Sequence, residues 1–286
     1  MNDQNRVLSL TPSRDEAIKP SELIQISGHQ ALTLNARRAI TILWHNAHRQ
    51  GVEEGRDYTI ELADLRPDGH KGGEMIEEAI IMLMRTVLTV RLSGNRTRRV
   101  QFLGGNDMDD PARPAGVLTY SFDKRLVEIL RDSAIWGRIA IPVLMAFSSK
   151  YAVSLYENAS QWANLSRKVT QDFSLEEFRD LIGVEQSKYP AFGALNKHVL
   201  KPAVEEINAL APFNVALVPI KSGKRVAHIR VCWWRKTIEE ISEAYREAQR
   251  PKIGRRARIT GQTETVHDPA KSERALEFET RRGVKR

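Results

Sequence analysis

Asn196, Lys197, His198 and Lys201 crowd one short stretch of the chain. Amide and ammonium donors of this kind hydrogen-bond base edges in a major groove or neutralise phosphates. Lys197, His198 and Lys201 fall on a helix face opposite Phe192, Leu195, Val199 and Ala203, which recur at steps of three and four. Lys188 precedes this helix, and Lys221, Lys224 and Arg225 gather further on around Lys221-Ser-Gly-Lys224. Residues 208–237 hold these three together with Arg230, Arg235 and Lys236, and no Asp or Glu. Solvated surfaces mix signs, so a one-sign segment points to phosphates as the partner. The plainer alternative is an αβ packing unit with a basic rim.

Bond-making chemistry has no such constellation. The chain lacks His-Glu-x-x-His, a Gly-x-x-x-x-Gly-Lys-Ser/Thr loop and any Cys/His cluster. Asp68-Gly-His-Lys-Gly-Gly73 lacks the phosphate-loop order and reads as a turn between helices. His45 and His48 lie three apart with no third ligand nearby. Asp107, Asp109 and Asp110 have no calcium-loop spacing. Cys232 is the single cysteine, which excludes an internal disulfide and a thiolate metal cluster. The expectation is a binding protein that is not an enzyme, with no cofactor and no metal.

The basic helix needs a frame, and its neighbours supply one. Ser174-Leu-Glu-Glu177 is a capping box. Leu175, Phe178, Leu181 and Ile182 follow at helical spacing, and Gly183 ends that helix. A turn over 184–189 leads to Pro190, which suits the first position of the second helix, running to Lys201. Pro202 predicts a kink there, or a break with a new helix over 202–208 that carries Glu205 and Glu206 away from DNA. Val215, Leu217, Ile229, Val231 and Trp233 alternate as a two-stranded ribbon does, and a last helix runs from Thr237 to Gln249. Helix, turn, helix and ribbon is how a major-groove reader with a wing is built.

Five pieces carry a family resemblance in order: Ser149-Lys-Tyr-Ala-Val-Ser-Leu-Tyr-Glu157, Ser174-Leu-Glu-Glu-Phe-Arg-Asp-Leu-Ile-Gly183, Lys188-Tyr-Pro-Ala-Phe192, Val199-Leu-Lys-Pro-Ala-Val-Glu-Glu-Ile-Asn208 and Pro219-Ile-Lys-Ser-Gly-Lys-Arg225. Together they resemble the initiator replication proteins of iteron-containing bacterial plasmids, with a weaker similarity over residues 25–148. The resemblance implies two tandem winged-helix domains and binding to repeated sites at an origin on double-stranded DNA. It further implies repression of the protein's own gene, melting of an AT-rich stretch with a host initiator, and recruitment of the replicative helicase. Self-association as a dimer through the first domain, with monomers active on the repeats, is also implied.

The first half has the same order of elements and charge. Thr33 can cap a helix over 34–49 whose apolar face is Ile40, Leu43, Trp44 and Ala47. A strand at Tyr58, Ile60 and Leu62 and a short helix over 61–66 follow. A longer helix is expected over 74–88, then a hairpin of 90–92 with 99–103. Lys71, Arg85, Arg96, Arg98 and Arg99 are its candidate phosphate contacts. A polar loop over 104–116, a strand over 117–122, a helix capped by Asp123 and a helix over 142–158 complete the reading.

With 286 residues, 41% hydrophobic and 28% charged, the chain has room for two cored domains, and its net charge of +8 fits a polyanionic partner. No stretch is long and apolar enough to span a bilayer, and the N-terminus lacks the apolar run of a signal peptide, so the expected place is the bacterial cytoplasm, without membrane contact. The fold class is α+β: two tandem winged helices between flexible tails. Residues 1–25 are expected to be a flexible arm. Residues 26–138 are the first winged helix (dimerisation and auxiliary DNA contacts), 139–249 the second and main reader, and 250–286 a basic, mostly disordered tail. Two other functions compete: a transcriptional repressor with no replication role, and an origin-nicking enzyme.

Overall fold

The computed structural model describes residues 12–25, 29–66, 73–91, 96–110, 116–131, 133, 135–164 and 169–261. The described elements begin with β1 (Glu16–Pro20) and α1 (Ser21–Ile24), then α2 (Leu34–Gln50), β2 (Tyr58–Glu61), a 3-10 turn (Leu62–Leu65) and α3 (Glu74–Arg85). A hairpin of β3 (Val87–Arg91) and β4 (Thr97–Gln101) follows, then β5 (Leu103–Met108), β6 (Val117–Phe122) and α4 (Lys124–Arg131). Thr33 caps α2 by accepting from the Ala36 N–H, as its hydroxyl predicts. β2, β6 and β5 form an antiparallel sheet in that order. Its buried Tyr58, Leu118 and Tyr120 pack with Leu43, Trp44, Leu83, Phe102 and Leu130 in the first core.

The second lobe comprises β7 (Trp136–Ala140), α5 (Ile141–Ala146), α6 (Lys150–Asn164), β8 (Thr170–Ser174) and α7 (Leu175–Ile182). Then come α8 (Phe192–Leu195), a π turn (Asn196–Leu200) and α9 (Lys201–Leu210), followed by β9 (Phe213–Ser222), β10 (Arg225–Arg235) and α10 (Ile238–Gln249). Its core joins Tyr156, Trp162, Phe178, Leu195, Val199, Ile207, Val215, Ile229, Val231 and Trp233.

Several expectations are corrected. The flexible arm gives way over Glu16–Pro20 to a strand antiparallel to β7, because Ala17 and Ile18 are buried; residues 1–11 lie outside the described set. The expected boundary at 138 falls inside β7. The polar loop over 104–116 begins as β5, held by backbone pairing with β6 rather than by apolar side chains. The helix over 74–88 stops at Arg85, where Thr86 turns extended. The helix over 142–158 is two helices, with Phe147 extended between them and the Ser149 hydroxyl accepting from the Tyr151 and Ala152 N–H groups to start α6. The two-stranded ribbon is a three-stranded sheet in the order β8-β10-β9, since a polar edge strand needs only backbone partners. Within the expected tail, α11 (Arg255–Thr260) is helical, and residues 262–286 lie outside the described set.

A buried polar seam joins the lobes. Lys19 donates to Glu157 Oε1 at 2.7 Å and to the Thr41 hydroxyl at 3.0 Å, and Thr41 donates to the same carboxylate at 2.9 Å. Arg37 donates to Ser154, and Arg38 to the carbonyls of Leu144, Met145 and Phe147. Glu206 is also drawn inward, accepting at 2.6 Å from both the Ser148 N–H and its hydroxyl.

Candidate nucleic-acid interface

α7 opens on the expected capping box: Ser174 accepts from the Glu177 N–H at 3.1 Å, and the Glu177 carboxylate accepts from the Ser174 N–H at 2.9 Å. That backbone bond, with the Ser174 hydroxyl second, holds the Glu177 pKa below its usual value. Gly183 closes the helix at φ 74°, a left-handed conformation that costs glycine little.

Between α7 and the following helix, the turn is built around Arg179, which is buried. Its guanidinium donates to the carbonyls of Glu185 (2.9 Å), Tyr189 (3.1 Å), Gln186 (3.4 Å) and Lys188. Tyr189 sits at φ 53°, unusual for a bulky residue, and its ring stacks on His198 at 5.9 Å. A charged residue inside an amphipathic helix reads as solvated, so this organising role leaves no sequence signal beyond the position itself. Arg179→Ala should lower the unfolding free energy by about 1–3 kcal/mol, the cost of orphaning the partly buried carbonyls it holds. Urea denaturation checks this; an unchanged midpoint would mean that water replaces the guanidinium freely.

The second helix begins at Phe192, two residues after the expected Pro190, and continues past Pro202 without a break. Of the expected kink or break, the break does not occur: the helix runs through a π turn, in which the Lys201 N–H donates to the Asn196 carbonyl. Asn196, Lys197, His198 and Lys201 are all exposed, while Leu195, Val199, Leu200 and Ala203 are buried. Lys201 has Glu205 at 3.8 Å, a loose surface pair. Lys188 is held at 2.7 Å by Glu185, whose hydrogen bond raises the lysine's pKa.

At the wing tip Gly223 takes φ 61°, so Ser222 and Arg225 pair directly across the turn. Lys221, Lys224 and Arg225 are exposed and make no ion pair among the described residues. Not all of the basic run is so placed. Arg230 binds Asp172 of β8 through Nε at 2.7 Å and Nη2 at 2.8 Å. Lys236 is buried, donates to the Asn208 carbonyl and has its pKa lowered by desolvation.

In the first lobe Arg85, Arg96 and Arg99 are exposed, whereas Arg98 pairs with Glu128 at 2.7 Å. Lys71 lies outside the described residues. His45 approaches the Arg14 carbonyl at 3.2 Å and His48 stacks on Trp136, so both are packing residues. Among the described residues no group of three His, Cys, Asp or Glu is placed to hold a metal, and no helix is long and apolar enough to cross a membrane.

Residues 174–233 match the family described as "Initiator Rep protein, WH2". The crystal structure of the Pi initiator protein in complex with iteron DNA aligns at a TM-score of 0.58 and 16% identity, covering 78% of this chain and 98% of that one. The structure of domains 2 and 3 of RctB aligns at 0.44 and 12%, covering 72% and 81%. No curated protein sequence matches. The capped α7, the Arg179-held turn, the exposed basic helix and the wing tip all fall inside the matched segment, the chain's fold is similar to that of the Pi initiator protein, and residues 174–233 resemble a winged-helix domain of initiator Rep proteins.

Proposed function

We propose that this protein initiates plasmid replication by binding repeated sites in double-stranded DNA at the origin. The observation that carries this reading is the exposed set Asn196, Lys197, His198 and Lys201, set beside a basic wing within the segment matched to initiator Rep proteins. The Pi initiator protein is in complex with iteron DNA in its crystal structure, and a similar fold makes the same class of ligand the natural one here. The helix over 192–201 enters a major groove and reads bases. Lys188, Lys221, Lys224 and Arg225 hold phosphates, and Arg85, Arg96 and Arg99 of the first lobe add contacts. The protein acts by binding rather than by catalysis, in the bacterial cytoplasm. Autorepression, dimerisation, a host initiator and the replicative helicase enter through the family resemblance.

Two lysines test this. Lys224→Ala removes a phosphate contact, so it should weaken repeat and random DNA alike and make the slope of log K against log salt shallower by about 1. Lys197→Ala should weaken repeat DNA by about 1–3 kcal/mol while barely changing random DNA. Binding of both variants to both duplexes over a range of salt decides it. Identical behaviour of the two, with the specificity ratio unchanged, would remove the helix as the reader.

A further inference from the structure

A regular α-helix sets residues five apart about 140° around its axis. That rotation would turn Asn196 away from Lys201. Here the Lys201 N–H closes instead onto the Asn196 carbonyl, an i to i+5 bond that stacks the two along the axis. Burial follows the same phase. Asn196, Lys197 and His198 are exposed in succession, Val199 and Leu200 are buried in succession, and Lys201 is exposed again. The sequence cause is Pro202, near the start of α9. In an unbroken α-helix its ring would meet the His198 carbonyl, and it has no N–H to give that carbonyl. The wider turn just before it carries the helix past the proline without ending it.

We propose that this π turn determines DNA specificity: it is one extra residue, retained by Pro202, that displays Asn196, Lys197, His198 and Lys201 as a single surface toward the bases. This rests on the reading of residues 192–201 as the DNA reader. The core has no need of the insertion. With every residue kept, a regular α-helix would spread Leu195, Val199, Leu200, Ala203, Ile207 and Leu210 over about 140°. With one residue of 196–198 removed, the same six fall within about 100°, the ordinary width of a core-facing stripe.

The test removes Lys197 and replaces Pro202→Ala in the full chain, with Lys197→Ala as the control for the lost charge. The probe is a pool of duplexes with a random central stretch, from which wild-type protein selects a consensus. The shortened variant should fold, with its helical circular dichroism intact, and bind random DNA as Lys197→Ala does. Its affinity for the wild-type consensus should fall about tenfold or more below that of Lys197→Ala, because without the extra residue Asn196 and His198 turn about the axis relative to Lys201, which the core holds in place. Retention of the wild-type consensus at the affinity of Lys197→Ala would overturn the proposal. So would failure of the shortened variant to fold, since the core would then require the extra residue. Failure of the wild type to select any consensus would instead overturn the proposed function.

Discussion

Truncation of Glu157 to Ala should cost about 3–5 kcal/mol of unfolding free energy, because it leaves a buried ammonium without its counter-charge. Lys19 is 2% exposed, and its only carboxylate partner among the described residues is Glu157. Burial already lowers the Lys19 pKa below 10.5, with Glu157 opposing the shift. Between a lowered folded pKa and 10.5 the unfolded chain binds more protons than the folded one, so stability rises with pH across that window. Loss of Glu157 lowers the folded value further and widens the window. The variant should therefore regain part of its stability as pH rises toward 10.5. Replacing both partners, Lys19→Met with Glu157→Leu, should be close to neutral or stabilising. Urea denaturation at neutral and alkaline pH measures all three. A cost below about 1 kcal/mol for Glu157→Ala would mean that water reaches the seam.

Leu195→Ala should cost about 2–5 kcal/mol through lost burial and the cavity left behind. Leu195 is fully buried at the end of α8, in the same core as Phe178 of α7 and Val231 of β10. Its side chain therefore anchors the candidate DNA-reading helix in that core. The thermal midpoint reports the loss, and DNA affinity should fall with it only near that midpoint. An unchanged midpoint would contradict the inward placement of this residue.

The parts that were legible are those where local physics acts alone. Ser174 with Glu177, Thr33, Asp123 and Gly183 mark helix ends through their own side chains or backbone freedom, and each does so in the structure. Val215, Ile229 and Val231 alternate and are buried. The strands β1, β5 and β8 were not legible, because their partners are distant and their side chains carry no alternation. Pro202 is a true helix breaker by local rule, but packing of Val199, Ala203 and Ile207 keeps the helix whole and shifts the conflict into one turn. In the candidate interface, the exposed helix and wing residues could be read from charge. The engagement of Arg98, Arg230 and Lys236 could not, since Glu128, Asp172 and Asn208 meet them only after folding.

The pairing of β1 with β7 also has a consequence for synthesis. Lys19 leaves the ribosome 138 residues ahead of Glu157. At about 5–20 residues per second the strand carrying it waits roughly 7 to 28 s for its partners. During that interval Ala17 and Ile18 have no sheet to join, and Lys19 stays hydrated. The first lobe can collapse around Trp44 and Tyr120 in the meantime, but its opening strand docks only once the second lobe has begun to emerge. Nascent chains stalled before residue 136 should therefore expose the first segment to protease, and chains stalled well beyond 157 should protect it.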